Sequence, residues 1–251
     1  MTAQAEGPAR PHEVEWTEPK IRRFWGWWGE HLGDEAFFSR DYGWAIMDIL
    51  ERRVPLAGKR AVDIGTGPGY LLDELLARGA TCSGVEPSAA LADMANERLK
   101  NQSGFEGVAE ASAGHLPLPD GEVDIACSLE VVEHLLDDQL HGHMREMARV
   151  VREGGFALVS TPNEENFDTY RTVCPDCGAL FHRIQHVRRW TGDQLVARMR
   201  EVGFEPELVV RTVLGRNRAH ALLARLRHVA RRTRRTDVAA LPQLVYVGRR
   251  V

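Results

Sequence analysis

The chain has 251 residues, 43% of them hydrophobic, which suits one sizeable α/β core with appendages better than two independent domains. Its formal net charge is −4, so its overall charge gives no general attraction to nucleic acid or to a membrane. No apolar run reaches the roughly 18 residues of a membrane span, and residues 1–20 lack the pattern of a signal peptide. We therefore expect a cytoplasmic protein.

The sequence predicts three regions in chain order. Residues 1–19 are polar and predict a flexible leader. Residues 20–58 are rich in aromatic side chains and end in a helical pattern, so they predict a helical cap on the core; alternatively, some of these rings line a substrate pocket. From residue 59 to residue 251 strand and helix patterns alternate, which predicts a mostly parallel sheet with helices on both faces. The predicted strands are 60–64, 81–86, 107–111, 123–127, 155–160, 206–213 and 244–248, and the predicted helices are 69–78, 88–100, 130–151 and 192–203.

A glycine-rich loop follows the first strand of the third region. Gly65, Gly67 and Gly69 permit a tight turn and let the backbone approach a ligand, with the N–H groups of the next helix pointing at it. Dinucleotide-binding proteins use a similar loop. Asp63 lies inside the strand before this loop. Glu86 ends the next strand, where a carboxylate can accept hydrogen bonds from both hydroxyls of a ribose.

These features resemble the class I methyltransferases across residues 59–165, and more loosely to residue 251. A Leu-Pro-Leu-Pro turn at 116–119, after the third strand, belongs to the same pattern. The resemblance implies a Rossmann-like sheet of seven strands, one of them antiparallel, and S-adenosylmethionine as cofactor. It implies a cofactor site made of Asp63, Gly65, Gly67, Gly69, Glu86, Ser112 and Leu129. Ser112 departs from the family pattern, because many members have an acid there for the adenine amino group; adenine would then rest on backbone groups and packing.

A candidate metal site follows the fourth strand, in the sequence Glu130-Val-Val-Glu133-His134. On the helix predicted there, these three side chains would share one face and attract a divalent cation such as Mg²⁺. Alternatively, the acids only favour the positive end of that helix. The motif is similar to the metal motif of two groups, the ubiquinone-biosynthesis O-methyltransferases and the small-RNA 3′-terminal 2′-O-methyltransferases.

The resemblance to the RNA group extends further along the chain. In that group a histidine ligand lies downstream of a Thr-Pro-Asn turn, four residues before a Trp-Thr pair. His186 has this position here, so the resemblance implies that it is the fourth metal ligand and that His134 and His186 are the catalytic residues. His182 is the competing candidate.

Cys174 and Cys177 form a C-x-x-C pair within residues 164–191, a segment that we expect to be a metal and substrate loop. Together with His182 they predict a separate structural zinc site, and the alternative is a tight turn without metal. His186 also has the spacing of a ligand for this zinc, but one histidine cannot serve both sites at once.

Residues 214–240 predict a basic helical insertion, since nine arginines and no acids lie between residues 211 and 235. This helix either packs through its leucines or faces an anionic substrate, RNA, or a membrane surface that carries a lipid-linked substrate. The sequence as a whole predicts metal-assisted O-methylation of a hydroxyl on a small molecule or glycan, with a catechol or vicinal diol favoured. The alternatives are an RNA 2′-O-methyltransferase and a non-catalytic scaffold that binds S-adenosylmethionine.

Overall fold

A computed structural model of the protein describes residues 10–31, 37–214 and 242–251. Its strands are β1 (His12–Glu13), β2 (Arg60–Ile64), β3 (Thr81–Glu86), β4 (Phe105–Glu110), β5 (Val123–Leu129), β6 (Val151–Pro162), β7 (Arg171–Val173), β8 (Ala179–His182), β9 (Phe204–Thr212) and β10 (Gln243–Arg250). Its helices are α1 (Glu18–His31), α2 (Phe38–Leu50), α3 (Tyr70–Ala77), α4 (Ala89–Leu99), α5 (Asp137–Val150) and α6 (Gly192–Glu201).

Seven strands form the central sheet in the order β4-β3-β2-β5-β6-β10-β9. β10 runs antiparallel to both of its neighbours, and the other neighbouring strands are parallel. Helices cover both faces, so the Rossmann-like architecture expected from the sequence is confirmed. Because strands of such sheets carry ligands beyond their carboxyl ends, the ends of β2, β3, β5 and β6 frame the site.

Two hydrophobic cores lie on opposite faces of this sheet. Along β2, Ala61 belongs to one core and Val62 to the other, as the alternation of side chains along a strand requires. The first core contains buried side chains of α2, α3 and α4. The second contains buried side chains of α5 and α6. Both faces of the sheet are therefore covered, and β2 is buried from Ala61 to Ile64.

A second, three-stranded sheet has the order β1-β8-β7, and the sequence did not predict it. β7 and β8 form an antiparallel hairpin, and β1 pairs in parallel with β8 through His12 and Glu13. Part of the segment expected to be a flexible leader is thus paired, and α1 already begins at Glu18. Residues 1–9 of that leader lie outside the described part of the chain.

The helix predicted over 130–151 is wrong in its first turns, because α5 begins only at Asp137. Glu130 has a φ of 54°, outside the right-handed helical region, and its N–H donates to the carbonyl of Ser160 on β6. His134 N–H then closes a tight turn on the carbonyl of Val131. Glu130, Glu133 and His134 therefore lie in this turn and share no helix face.

The predicted insertion at 214–240 lies outside the described residues, apart from Leu214, which packs against the first core. Among the helices that the structure describes, none has both the length and the apolar character required to cross a bilayer.

Candidate cofactor and metal sites

The glycine loop joins β2 to α3 with a backbone that only glycine adopts easily. The glycines have left-handed φ values: Gly65 80°, Gly67 54° and Gly69 84°. Thr66 fastens the loop to the neighbouring strand, since its hydroxyl donates to the carbonyl of Asp63 at 2.7 Å and accepts from the N–H of Val85 at 3.1 Å. The loop is therefore fixed at the carboxyl ends of β2 and β3.

Glu86 completes this loop from the end of β3. Its carboxylate accepts from the N–H of Gly67 at 2.9 Å and from the N–H of Ser88 at 3.0 Å. Burial raises the pKa of Glu86, while these two backbone donors oppose the rise. Each oxygen keeps a further lone pair, so the carboxylate can still accept from ribose hydroxyls. Burial, with the nearby charge of Glu86, raises the pKa of Asp63 to about 8.

Side chains from two other segments press against the glycine loop. A Cβ atom on Gly65 would lie 2.6 Å from Cγ2 of Val131, which belongs to the turn after β5. A Cβ atom on Gly67 would lie 3.3 Å from the ring of Phe37, at the start of α2. The loop thus lies between the predicted cap and the 130–134 turn, with no room for larger residues.

The remaining predicted cofactor residues lie around this loop. Ser112 is exposed after β4, and Leu129 is buried at the end of β5.

His143 of α5 holds the segment beside Ser112. Its Nδ1–H donates to the carbonyl of Ala113 at 3.3 Å, and its Nε2 accepts from the Ser128 hydroxyl at 2.9 Å. Burial lowers the pKa of His143 to about 4, so it is neutral at pH 7. Sequence reasoning missed this buried pair.

Two overlapping groups of side chains can hold a metal ion in the described part of the chain. One is Glu133, His134 and His186, and the other is Glu165, His182 and His186; within each group the ligand atoms lie within 4.8 Å of one another. Glu133 Oε2 accepts from the hydroxyl of Thr161 at 3.0 Å. Glu133 Oε1 is buried without a hydrogen-bond partner, 4.0 Å from Nε2 of His186.

Glu130 belongs to neither group, in contrast to its predicted role as a metal ligand. Its Oε1 accepts from the hydroxyl of Ser160 at 2.8 Å and from the amide nitrogen of Gln243 at 3.0 Å. Its carboxylate is therefore bound to the ends of β6 and β10. Burial raises the pKa of Glu130 to about 8, so at pH 7 it lies near the group mostly as the neutral acid.

His134 is held by Gln185 and by the first helix. Its Nδ1 lies 3.5 Å from the carbonyl of Gln185, and the Gln185 amide donates to the carbonyl of His134 at 2.9 Å. Trp25 of α1 donates its indole N–H to Gln185 Oε1 at 2.8 Å, and its ring contacts that of His134 edge-on at 4.9 Å. The predicted cap thus contacts the candidate metal-binding group directly.

Burial sets the protonation of this cluster. It raises the pKa of Glu133 well above its usual range, and the neighbouring Glu130 raises it further. Burial also lowers the pKa of His134 to about 3 and lowers the pKa of His186. Burial opposes ionisation of Glu165 as well, but the adjacent imidazoles of His182 and His186 outweigh it and lower its pKa to about 2. Neutral imidazoles beside an unpartnered carboxylate oxygen are a donor set that fits a divalent cation.

The cysteine pair lies apart from both groups. Cys174 and Cys177 occupy the turn between β7 and β8, where the N–H of Gly178 donates to the carbonyl of Cys174 at 2.9 Å. Backbone N–H groups of Cys177 and Asp176 lower the pKa of Cys174. His182 joins Glu165 and His186 instead, so the structure does not bring the three predicted zinc ligands together.

Sequence reasoning missed Glu165, Gln185 and Trp25. Glu165 lies three residues beyond Pro162, the last residue of β6, and an acid near the carboxyl end of a central strand is a signal that could have identified it. Gln185 and Trp25 carry no comparable signal, because their contact joins residues 160 positions apart.

Comparison with known proteins identifies the family. Residues 38–209, more than half of the chain, match a family described as a methyltransferase domain. The chain belongs to this family, the class I S-adenosylmethionine-dependent methyltransferases, as its glycine loop and Glu86 led us to expect. S-adenosylmethionine is accordingly the cofactor of this chain.

Curated relatives align over part of their length. The chain is 36% identical over 143 residues to an uncharacterised methyltransferase of Mycobacteroides abscessus, covering 52% of each chain. It is 34% identical over 125 residues to a ubiquinone biosynthesis O-methyltransferase of Aromatoleum aromaticum, covering 49% of this chain and 52% of the relative. The chain thus spans about half the length of these curated relatives.

Solved structures share the fold at low sequence identity. The 1,6-didemethyltoxoflavin-N1-methyltransferase of Burkholderia thailandensis, solved with S-adenosylhomocysteine and 1,6-didemethyltoxoflavin, has a TM-score of 0.67 and 13% identity. That alignment covers 100% of this chain and 98% of the other. A Haloferax volcanii methyltransferase solved with its Trm112 activator has a TM-score of 0.65 and 18% identity, covering 90% of this chain and 96% of that one. These matches establish the common fold.

Proposed function

We propose that this chain transfers the methyl group of S-adenosylmethionine to a hydroxyl oxygen, with a divalent cation held by Glu133, His134 and His186. The observation that carries the proposal is the buried Oε1 of Glu133. This atom has no hydrogen-bond partner among the described residues and lies 4.0 Å from Nε2 of His186. A buried carboxylate oxygen without a partner is costly unless a proton or a cation satisfies it.

The position of this group supports transfer from the cofactor. The turn that carries Glu133 and His134 also carries Val131, which packs on Gly65 of the cofactor loop. Cofactor and cation would therefore be neighbours at the carboxyl edge of the sheet. The name of the Aromatoleum aromaticum relative, an O-methyltransferase of ubiquinone biosynthesis, agrees with an oxygen acceptor.

The chemistry follows from what the side chains do. A hydroxyl is a weak nucleophile at neutral pH, and a divalent cation supplies positive charge that lowers its pKa and holds a neighbouring oxygen. Glu133, His134 and His186 bind that cation and so fix where the acceptor lies. The glycine loop and Glu86 fix the cofactor, because methyl transfer depends mainly on alignment of the acceptor with the methyl group. Two adjacent oxygens, as in a catechol or a vicinal diol of a small molecule or glycan, suit this arrangement.

A ribose 2′-hydroxyl at the 3′ end of an RNA is the second candidate acceptor, since it also belongs to a vicinal diol. The observation that favours it is the position of His186, which lies in one group with Glu133 and His134 as the resemblance to the RNA 2′-O-methyltransferases implied. A panel of catechols, glycans and short RNAs with a free 3′ diol, assayed with labelled S-adenosylmethionine, distinguishes the two acceptor classes.

The metal requirement is tested with a matched pair of variants. Glu133→Gln removes the unpartnered carboxylate, whereas Glu153→Gln neutralises an exposed acid near the start of β6. We expect Glu133→Gln to lose bound metal and turnover while S-adenosylmethionine binding, measured by calorimetry, is retained. Glu153→Gln should match the parent protein. Turnover that survives both chelation and Glu133→Gln would refute the metal-assisted mechanism.

A further inference from the structure

We infer that Glu165 and His182 are positioning residues that hold His186 in the tautomer whose Nε2 lone pair faces Glu133. The inference rests on the proposed metal site for its purpose, but the tautomer itself is a property of the metal-free protein. Neither Glu165 nor His182 would contact the cation.

The arrangement starts at the backbone N–H of His186, which donates to Nδ1 of His182 at 3.3 Å. An imidazole nitrogen that accepts a hydrogen bond carries no proton. Neutral His182 therefore carries its proton on Nε2. This nitrogen lies 3.4 Å from Oε1 of Glu165, and both atoms are buried without a hydrogen-bond partner among the described residues.

Glu165 then determines the proton position on His186. Its Oε2 lies 2.5 Å from Nδ1 of His186, so the carboxylate accepts the Nδ1–H hydrogen bond. As a carboxylate, Glu165 can only accept a hydrogen bond. With the His186 proton on Nδ1, the lone pair remains on Nε2, the nitrogen that lies 4.0 Å from Glu133 Oε1. A carboxylate that orients a metal-binding histidine in this way also increases its basicity.

Ring geometry argues against His182 as a second ligand of the same ion. The His182 and His186 rings are stacked, with centroids 4.4 Å apart and planes 14° apart. A cation binds an imidazole nitrogen in the plane of the ring, along its lone pair. An ion in the plane of His186 would therefore lie far from the plane of His182, so one ion cannot be bound well by both.

Packing holds the pair in place. The ring of His182 contacts Phe167 at 5.2 Å and Tyr170 at 5.5 Å, both in a single 3₁₀ turn between β6 and β7. His182 and Glu165 are almost completely buried. This burial excludes water from the contact between His182 Nε2 and Glu165 Oε1. Among the described residues, the Glu165 carboxylate therefore interacts with the two imidazoles, His182 and His186.

The inference is tested first in the metal-free protein by ¹⁵N NMR of the histidine side chains. We expect the proton on Nδ1 in His186 and on Nε2 in His182. In Glu165→Leu, which removes both acceptor oxygens, the His186 proton should move to Nε2 in a measurable fraction of molecules. Glu164→Gln, a change at the exposed neighbouring acid, should leave both tautomers unchanged. A His186 proton on Nε2 in the parent protein would overturn the inference.

Metal titration provides the second measurement, with Co²⁺ as the probe. Glu165→Leu should weaken Co²⁺ binding about 10–100-fold while stoichiometry and the Co²⁺ absorption bands stay unchanged. Glu165→Gln, which keeps one acceptor oxygen, should recover part of the affinity, and retained S-adenosylmethionine binding should show that each variant is folded. If Glu165→Leu bound fewer Co²⁺ ions or showed altered Co²⁺ absorption bands, Glu165 would be a metal ligand, and its positioning role would be overturned. A parent protein with the expected tautomers but no Co²⁺ binding would refute the proposed function and leave the tautomer assignment standing.

Discussion

Val131 occupies the space that a side chain on Gly65 would need, with its Cγ2 2.6 Å from the position of a Cβ there. Gly65 begins the cofactor loop, and Val131 lies two residues before Glu133 in the turn that replaces the first turns of the predicted helix. The cofactor loop and the candidate metal-binding turn are therefore in direct contact. A substitution at Gly65 or Val131 should therefore alter the binding of both the cofactor and the proposed cation.

Gly65→Ala should weaken S-adenosylmethionine binding at least about tenfold, corresponding to about 1.4 kcal/mol. The new Cβ would collide with Val131 and push the loop away from its ligand. Gly58→Ala is the matched control, because Gly58 also has a left-handed φ, 72°, but open space around its Cβ position. Both variants should lose about 1–2 kcal/mol of stability from backbone strain. Calorimetry should show weaker binding only for Gly65→Ala, and Val131→Ala in the same chain should restore part of the affinity.

S-adenosylmethionine affinity should rise between pH 6 and pH 8 through Asp63. Burial raises the pKa of this acid from 3.8 to about 8, so it is largely protonated at pH 7 in the free protein. A ligand with a positive sulfonium and ammonium group favours the carboxylate, and binding should release a proton. Calorimetry in buffers of different ionisation enthalpy measures that release. Asp63→Asn should abolish most of it, and an identical proton count in both proteins would contradict the assignment.

The same raised pKa also affects the stability of the protein without cofactor. Between pH 3.8 and about 8 the folded state holds a proton on Asp63 that the unfolded state has released. Unfolding therefore releases protons in this range, and the contribution of Asp63 to stability falls as the pH rises. Urea unfolding of the parent protein and Asp63→Asn across this pH range should show the difference in slope.

His143 should produce a pH dependence of the opposite sign. Burial lowers its pKa from 6.5 to about 4, so in this range the unfolded chain binds a proton that the folded chain does not. Its contribution to stability is lost as the pH falls from 6.5 towards 4. His143→Gln should reduce the proton uptake on unfolding by about one proton and cost about 1–3 kcal/mol at pH 7.5. His141→Gln, at an exposed position on the same helix, should change neither quantity.

Trp25→Phe should weaken metal binding without altering cofactor binding. The variant removes the N–H that satisfies the buried Oε1 of Gln185, the residue that holds His134. An unsatisfied buried acceptor costs about 1–3 kcal/mol, which thermal unfolding should reveal. Trp27→Phe is the control, because the Trp27 side chain is 57% exposed. Equal metal affinity in the parent protein and Trp25→Phe would show that the first helix does not support the metal-binding group.

The sequence was most informative where local pattern determines structure. The predicted bounds of β2 and β3 agree with the structure, because β2 ends at the glycine loop and β3 ends at Glu86. The loop itself was found from its three glycines, whose left-handed backbone is a local requirement. Strands of two to four residues, such as β1, β7 and β8, carry too few positions to show an alternating pattern.

The candidate metal-binding group depends on long-range contacts, which the sequence pattern does not reveal. The i, i+3, i+4 spacing of Glu130, Glu133 and His134 is typical of a helix. In the structure, however, Glu130 has a left-handed φ, and its N–H donates to the carbonyl of Ser160 on β6. The structure places Glu133 and His134 in one cluster, but the helix expected to carry them is absent there. Glu165 belongs to no local motif, and only the approach of β6 to the 182–186 segment gives it partners.

The indole of Trp25 meets Gln185 across 160 residues of chain, whereas the bond from Gly67 to Glu86 spans only 19. Closing a long loop is slow, because the chain loses conformational entropy before the contacts that offset this loss have formed. The two halves of the site should therefore mature at different times after dilution from denaturant. Fluorescent cofactor analogues should bind first and Co²⁺ later, so that a refolding chain passes through an interval in which it binds a methyl donor before it can bind the proposed cation.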